Sequence, residues 1–538
     1  MGSPSLGTTA VQANLSRRLV TGRDWILAFS LTGCLLWLKW GTVLGATFAY
    51  SAPALVKPNV AALLIAQFCG PLLLIAIFAA IRSLAPRSQK IARAVFVALL
   101  LAHPLGLLTV LLRGTVPAKF SIPLLLAIDA VFVIFFREEL IQIGISVLRL
   151  VFPVSVLTIL LGIHALFTSP SRDSGQVQFE STAFTRDETP HPIVWIIFDE
   201  LDADLAFGNH PQNRELKAFR EFRSQAVFME DAQAPNRATI RSIPSLLTGG
   251  QVIDATPVKG PNLSLRFAGR KDSTGLRSHP TLFDDAHQVG RKVSVVGFYH
   301  PYCTLFRSII DDCYWTEGAG VDAWENLMVG TTAPWLASEL NAAVFPYLSL
   351  GEDGRRTQVR HFERAAVQQV VAAANHALAS GRCSFVMLHL PIPHPPFVFD
   401  ATTRTYADEG GSYWDNLVLA DIVLGELRQA LQESGRWDSA TVIVTSDHHW
   451  RSQLWRHFSP VWSGWGPKDI PSQGERIPFM VKLPNQHVEV DYAPHVNTLI
   501  TRELIDQLLQ DPGMSTAKLV GWIEANRNRF DFGPVGSE

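Results

Sequence analysis

Cysteine and charge are both scarce in this chain. Its 538 residues include five cysteines, none in a Cys-x-x-Cys spacing, which removes a zinc ribbon and a thioredoxin-like redox site from consideration. Lysine and arginine (46) nearly balance aspartate and glutamate (48), so the net charge of −2 lacks the basic surplus that tracks a nucleic-acid backbone. Charged residues make up 17% of the chain. With a mean hydropathy of +0.16, that scarcity places part of the chain in lipid.

The apolar surplus is concentrated before residue 168. It falls in five stretches, Trp25 to Thr47, Val60 to Ile81, Ile91 to Leu112, Phe120 to Phe136 and Ile141 to Phe167. A bilayer core takes about 20 apolar residues per helix, so residues 24–168 are predicted to form an α-helical membrane domain of about five spans, after a cytoplasmic segment 1–23. The first stretch is too long for a secretory leader and reads as a span. Arg17, Arg18 and Arg23 precede it, and Arg82, Arg87, Lys90 and Arg93 crowd the second loop, which puts both segments in the cytoplasm. Arg113 and Lys119 oppose that bias without reversing it. An odd number of spans then carries everything after residue 168 outward. Asp129 lies inside the fourth stretch and serves either a lipid path or an ion pair between spans, while Lys39 and Arg149 are placed to snorkel. Cys34 and Cys69 read as small buried residues of the spans. Cys303 and Cys313, ten positions apart in the outward part, can pair in an oxidising compartment and would leave Cys383 over.

Residues 169–191 are polar, contain Pro170 and Pro190, and are predicted to be a linker into a domain spanning 192–538. There the pattern changes to short, continuous apolar runs, Ile193 to Phe198, Val293 to Phe298, Phe385 to Leu390, Thr441 to Thr445 and Pro478 to Leu483. Each has the signature of a strand buried on both faces. Helical patterns stand between them at Glu215 to Gln225, Thr281 to Gln288, Thr357 to Ala379 and Tyr413 to Glu433. This alternation predicts an α/β/α sandwich with a largely parallel sheet. The tail after Leu483 reads as helical cover for that sheet.

In open α/β sheets, sites gather beyond the carboxyl ends of the strands, and here those ends carry metal-type side chains. Asp199 and Glu200 follow the first run, His394 follows the third with His389 inside it, and Asp447, His448 and His449 follow the fourth. Oxygen donors mixed with imidazole suit Zn or Mn better than Ca. Thr239 opens an apolar segment, Thr-Ile-Arg-Ser-Ile-Pro-Ser-Leu-Leu-Thr-Gly, that reads as a short buried helix. Its hydroxyl is either a nucleophile or, like that of Ser242, a helix cap.

Together, Ile-Ile-Phe-Asp-Glu-Leu, the Thr239 segment, His-Leu-Pro-Ile-Pro-His-Pro-Pro-Phe and Val-Thr-Ser-Asp-His-His resemble the sulfatase-like branch of the alkaline phosphatase superfamily. Thr239 stands nine residues before Thr248, the spacing between nucleophile and Leu-Thr-Gly threonine in sulfatases. With spans in front, the set resembles the membrane-bound lipoteichoic acid synthases and lipid A phosphoethanolamine transferases. The resemblance implies an alkaline-phosphatase-like fold and a divalent metal held by Asp199 or Glu200, Thr239, Asp447 and His448. It further implies that His394 binds the transferred phosphate or a second metal, that Asn236 and Arg241 contact substrate, and that His457 is the acid for the leaving group. Two motifs depart from the pattern, since Asp-His-His-Trp stands where Asp-His-Gly is usual and Asp-Glu stands where the transferases have a single Glu.

Sulfatases of this branch convert a Cys or Ser to formylglycine, and Thr cannot be converted. The resemblance therefore implies transfer of phosphoethanolamine or phosphoglycerol from a membrane phospholipid to an envelope glycan or lipid through a covalent threonine. Such a protein is expected to be integral to the cytoplasmic (inner) membrane, with its catalytic domain facing the periplasm or cell exterior. The alternatives are a membrane-anchored phosphodiesterase with water as acceptor, and an inactive relative that binds envelope components.

Overall fold

A computed structural model describes residues 22–45, 57–84, 88–89, 137–168, 176–180, 189–208, 215–258, 262–316, 352–407, 411–457 and 474–531. They fall into two compact units, one before and one after residue 173.

The first unit contains helices α1 (Gly22–Gly45), α2 (Lys57–Ser83) and α3 (Arg137–Thr168). Leu36 and Trp40 of α1 pack with Val60, Leu63 and Leu64 of α2 and with Ile159 and Ala165 of α3. Close approach depends on small residues, because a Cβ on Gly162 would stand 2.4 Å from the Trp40 ring. Polar side chains also pair between α1 and α2. Trp40 Nε1 donates to Gln67 Oε1 at 3.3 Å, and Arg82 grips Asp24 through two bonds of 2.7 and 2.6 Å. Among the described residues, two helical segments, Leu63–Ser83 and Ile145–Phe167, are long and apolar enough to cross a membrane. The third and fourth predicted spans, with Asp129, and the side chain of Lys39 lie outside the described residues. Arg149 is exposed, Cys34 is half-buried and Cys69 is exposed, so the expectation that both cysteines are buried is corrected.

The second unit is built on a nine-stranded sheet. Its strands are β1 (Gln176–Glu180), β2 (Ile193–Asp199), β3 (Val227–Met229), β4 (Val293–Phe298), β5 (Asp312–Thr316), β6 (Phe385–Pro393), β7 (Thr441–Ser446), β8 (Phe479–Lys482) and β9 (Val490–Tyr492). They lie in the order β1-β5-β4-β6-β2-β7-β8-β3-β9. The central neighbours β5, β4, β6, β2 and β7 run parallel, while β8 is antiparallel to β7. Strands β2, β4, β6 and β7 are buried along their whole length, which is why each reads as an unbroken apolar run. On one face, Trp195 and Ile197 pack with Ile243, Leu247, Phe283 and Leu504. Helices Glu352–Ser380 and Tyr413–Glu433 pack on β6.

Register positions the site. Ile193 faces both Phe385 and Thr441, so the three central strands start level and deliver their ends to the same edge. Strand β6 runs on past the predicted Leu390, and after an irregularity Pro393 pairs with Asp199.

Two segments differ from expectation. Residues 176–180, within the predicted linker, form β1 and pair antiparallel with β5. The tail after Leu483 is not only helical cover. It first adds β9 to the sheet edge and pairs Val496–Asn497 with Ala232–Gln233, then forms helices Thr501–Gln510 and Thr516–Asn526. Backbone pairing decides both cases, since an edge strand of three to five residues leaves too little apolar periodicity to detect.

Cys303 and Cys313 form a disulfide, and Cys383 is buried and free. The bond closes a loop with a sequence separation of 10. Loop-closure entropy then assigns it about 2–3 kcal/mol, so Cys303→Ala should lower the thermal unfolding midpoint of the solubilised chain. Reductant should then have no further effect.

Candidate active site

Beyond Asp199 the chain makes an unusual turn. Glu200 has φ of 62°, left-handed for a residue with a Cβ. Three contacts hold it there. Tyr413 Oη donates to the Glu200 carbonyl at 2.7 Å, Glu200 N–H donates to Asp447 Oδ1 at 3.2 Å, and Leu201 N–H donates to Ser446 Oγ at 2.8 Å. The turn sends the two adjacent carboxylates to different partners. Glu200 accepts from Arg451 Nε at 2.7 Å and from Trp455 Nε1 at 2.9 Å. Burial lifts its pKa to about 7, against the opposing pull of Arg451 and Trp455.

Asp199 points elsewhere. Its Oδ1, Asp447 Oδ2 and His389 Nε2 are buried and have no hydrogen-bond partner among the described residues. Ligand atoms of these three residues lie within 4.8 Å of one another and could hold a metal ion. Orphaned buried polar atoms cost free energy, and a cation at their centre would satisfy all three. Two carboxylate oxygens with an imidazole nitrogen match the donor set expected for Zn or Mn.

His448 completes the arrangement. Its Nδ1 lies 3.1 Å from the His449 carbonyl, which can only accept, so the proton sits on Nδ1 and Nε2 carries a lone pair. Nε2 lies 3.2 Å from Thr239 Oγ1, 3.3 Å from Asp447 Oδ2 and 3.6 Å from Asp199 Oδ1. His389 is oriented similarly by Tyr302, whose hydroxyl lies 2.8 Å from its Nδ1. Burial, with the neighbouring Asp447, raises the Asp199 pKa well above the carboxylate range, and burial raises Asp447 to about 6. Burial also holds His448 and His389 well below the usual imidazole value. The site thus disfavours bare anions and keeps its imidazoles neutral, the condition in which they bind metals.

Thr239 is the first residue of a helix, Thr239–Thr248, that ends at Gly249 with φ of 70°. Its N-cap is Ala238, which makes no side-chain bond, so Thr239 is not a cap and its hydroxyl turns to His448. Ser242 does not cap either, donating instead to the Asp447 carbonyl. His300, just past β4, reaches the Thr239 carbonyl through Nε2 at 3.1 Å, and burial pushes its pKa down to about 4.

The remaining predicted residues are placed as follows. His394 follows β6, with Nδ1 bonded to the Pro395 carbonyl and its ring 5.0 Å from that of Trp455. Burial lowers its pKa to about 3, with Arg451 adding to the effect. Asn236 is buried, with Nδ2 donating to Val252 O at 3.0 Å and Oδ1 accepting from Arg237 N at 2.9 Å. Arg241 is half-buried on the Thr239 helix. His449 is buried, which lowers its pKa to about 4. His457 ends the helix Ser452–His457, and its side chain lies outside the described residues.

Sequence reasoning assigned no role to His389 and passed over His300. A histidine inside an apolar run was the available signal for the first. Applying the strand-end rule to β4 as well would have found the second.

A family model described as Sulfatase matches residues 192–509. Among the curated proteins none matches. Solved structures similar to the chain include Ps i-CgsB bound to k-i-k-neocarrahexaose, at 14% identity and a TM-score of 0.42, covering 62% of this chain and 74% of that one. The phosphonate monoester hydrolase of Agrobacterium radiobacter is similar at 14% identity and 0.38, covering 62% and 77%. The PsFucS1 sulfatase from Pseudoalteromonas sp. is similar at 15% identity and 0.38, covering 60% and 68%.

Proposed function

Because the chain belongs to the sulfatase family, we propose that it is a metal-dependent phosphotransferase in which Thr239 carries the transferred group. The observation that bears this reading is the Thr239 hydroxyl, 3.2 Å from His448 Nε2 at the edge of a cluster of orphaned metal-type donors. Threonine in place of Cys or Ser argues against formylglycine-dependent sulfate removal. The two apolar helices support a membrane anchor and hence a phospholipid donor, either phosphatidylethanolamine or phosphatidylglycerol, at the outer face of the cytoplasmic membrane.

Asp199, Asp447, His448 and His389 would hold the ion. When bound, a divalent cation supplies the positive charge that stabilises the alkoxide form of a Thr239 hydroxyl beside it. His300 holds the nucleophile's backbone, and the first turn of its helix presents N–H groups toward an incoming anion. Thr239 Oγ gives up its proton and bonds to phosphorus while the bond to the diacylglycerol oxygen breaks, and that oxygen takes up a proton. A glycan or lipid hydroxyl then gives up its proton and attacks phosphorus, and the bond to Thr239 Oγ breaks as that oxygen is reprotonated. The Nδ1 bond of His394 to a carbonyl leaves a lone pair on Nε2, and with its pKa lowered to about 3 the ring stays neutral, so it suits accepting a hydrogen bond from the acceptor hydroxyl and orienting it.

Peptide mass spectrometry after incubation of the solubilised chain with each phospholipid tests this reading. A phosphoethanolamine or phosphoglycerol adduct on the Thr239 peptide is expected. Turnover of an aryl sulfate with no adduct from either lipid would overturn it. Headgroup release at a rate indifferent to added acceptor would make the protein a hydrolase of the same site.

A further inference from the structure

The loop after β7 continues through His449 to Trp450, and Trp450 fixes its course. Trp450 is fully buried, its ring 4.5 Å from that of Tyr413 and 6.1 Å from that of Phe397. With this anchor the next residue, Arg451, is directed to Glu200. Its Nε donates to Glu200 Oε1 at 2.7 Å, and its guanidinium carbon lies 5.9 Å from the centre of the Trp455 ring. Trp455 Nε1 holds the same carboxylate at 2.9 Å.

The guanidinium is therefore fixed through Nε and by an aromatic ring. Among the described residues its two terminal amino groups have no hydrogen-bond partner, although the side chain is only 15% exposed. A guanidinium carries five N–H donors in a planar fork suited to phosphate or carboxylate oxygens. Holding one so deep, with most of the fork unused, is costly unless an anion arrives.

Neighbouring contacts bring the Arg451 guanidinium near the metal-type cluster. Glu200 directly follows Asp199 and its N–H is bound to Asp447, while Trp455 meets His394 with ring centres 5.0 Å apart. The positive charge of Arg451 lowers the proton affinity of Asp199, Asp447, His394 and His448 alike.

We propose that Arg451 binds a non-bridging oxygen of the tetrahedral anion handled at Thr239, with Glu200 acting as its positioning residue. The inference rests on the reading of this site as a phosphoryl-transfer centre. As Thr239 Oγ bonds to phosphorus and the ester bond breaks, negative charge concentrates on the non-bridging oxygens, and a donor already fixed in place stabilises it without reorganising. The left-handed turn at Glu200 then has a purpose: it separates the carboxylate that holds the arginine from the one in the metal-type cluster.

Titration calorimetry of the full chain in detergent with inorganic phosphate, alongside measurement of bound zinc and manganese, tests the assignment. Arg451→Gln should weaken phosphate binding about tenfold or more, the scale of a lost charge-assisted contact, with metal content unchanged. Glu200→Gln keeps the guanidinium but loosens it and should weaken phosphate binding to a smaller degree, also with metal retained. Arg451→Lys should recover part of the loss. The double variant Glu200→Gln/Arg451→Gln leaves no unpaired buried charge and should match Arg451→Gln, which guards against a folding artefact. Unchanged phosphate affinity in the double variant, no phosphate binding by the wild-type chain, or loss of metal from Glu200→Gln would each overturn the inference. A lipid-derived adduct on Thr239 together with Arg451-independent phosphate binding would sink only this inference. Arg451-dependent binding of phosphate or sulfate with no adduct would uphold it and sink only the phosphoryl-transfer reading.

Discussion

Thr239→Ala should reduce headgroup transfer by at least about a thousandfold while leaving the protein folded, because losing the nucleophile removes the covalent route and spares the binding groups. The structural cost is small. The hydroxyl meets His448 Nε2 at 3.2 Å and hydrogen-bonds the Asp447 carboxylate, and the helix does not depend on it for a cap. A net loss of about 1 kcal/mol of stability is the scale of one such bond. Thr239→Ser retains a hydroxyl at the same place and should keep a measurable fraction of the rate and still form an adduct. Transfer assays on phospholipid vesicles, paired with thermal unfolding, check both statements. Activity near wild type in the alanine variant would remove Thr239 from the mechanism.

Chelation should abolish transfer reversibly, with activity returning on addition of zinc or manganese. The thermal midpoint should move with metal concentration, since an ion bound only by the folded state stabilises it by about 2.7 kcal/mol at a hundredfold excess over its dissociation constant. Asp447→Asn should weaken loading strongly, as it replaces a carboxylate that faces both His448 and the orphaned oxygen of Asp199. The pH dependence has opposite signs in the two forms. Burial raises the Asp447 pKa to about 6, and that of Asp199 well above its usual value, so protons compete with the ion and metal affinity should climb as pH rises past about 6. In the metal-free chain these carboxylates bind protons more tightly folded than unfolded. Their contribution to stability is full below the unfolded value of 3.8 and is lost as pH rises through about 6 for Asp447 and through the raised folded value of Asp199. Metal-dependent midpoints measured across that range test the signs, and a chelator-insensitive transferase would contradict the site.

Much of the catalytic unit is legible from pattern alone. A strand buried on both faces stays apolar until the chain leaves the sheet, so Asp199, which ends β2, and Asp447, which follows β7, stand out as the first acidic residues there. Level starts at Ile193, Phe385 and Thr441 then bring those ends together. His389 was visible but ambiguous, because a histidine within a strand is equally consistent with packing. Its role in the cluster depends on the Tyr302 hydroxyl, 87 positions earlier, which occupies Nδ1. The contact of His300 is also distant in sequence, 61 positions from the carbonyl it holds. The surroundings of Asn236 were equally hidden, since its polar atoms go to backbone groups that spacing does not reveal.

The sequence by itself determined the α/β class of the second unit, the strand ends that carry metal-type side chains, the pairing potential of Cys303 with Cys313, and the nine-residue placement of Thr239 before Thr248. These follow from local chemistry: apolar continuity, strand length and spacing along one chain. Only the tertiary structure decided between Asp199 and Glu200. Neighbouring residues with similar side chains cannot be told apart by pattern, and their directions depend on one left-handed backbone angle and on an arginine 251 positions away. The same holds for the sheet edges, where β1 and β9 are defined by backbone bonds to distant strands rather than by any apolar rhythm of their own.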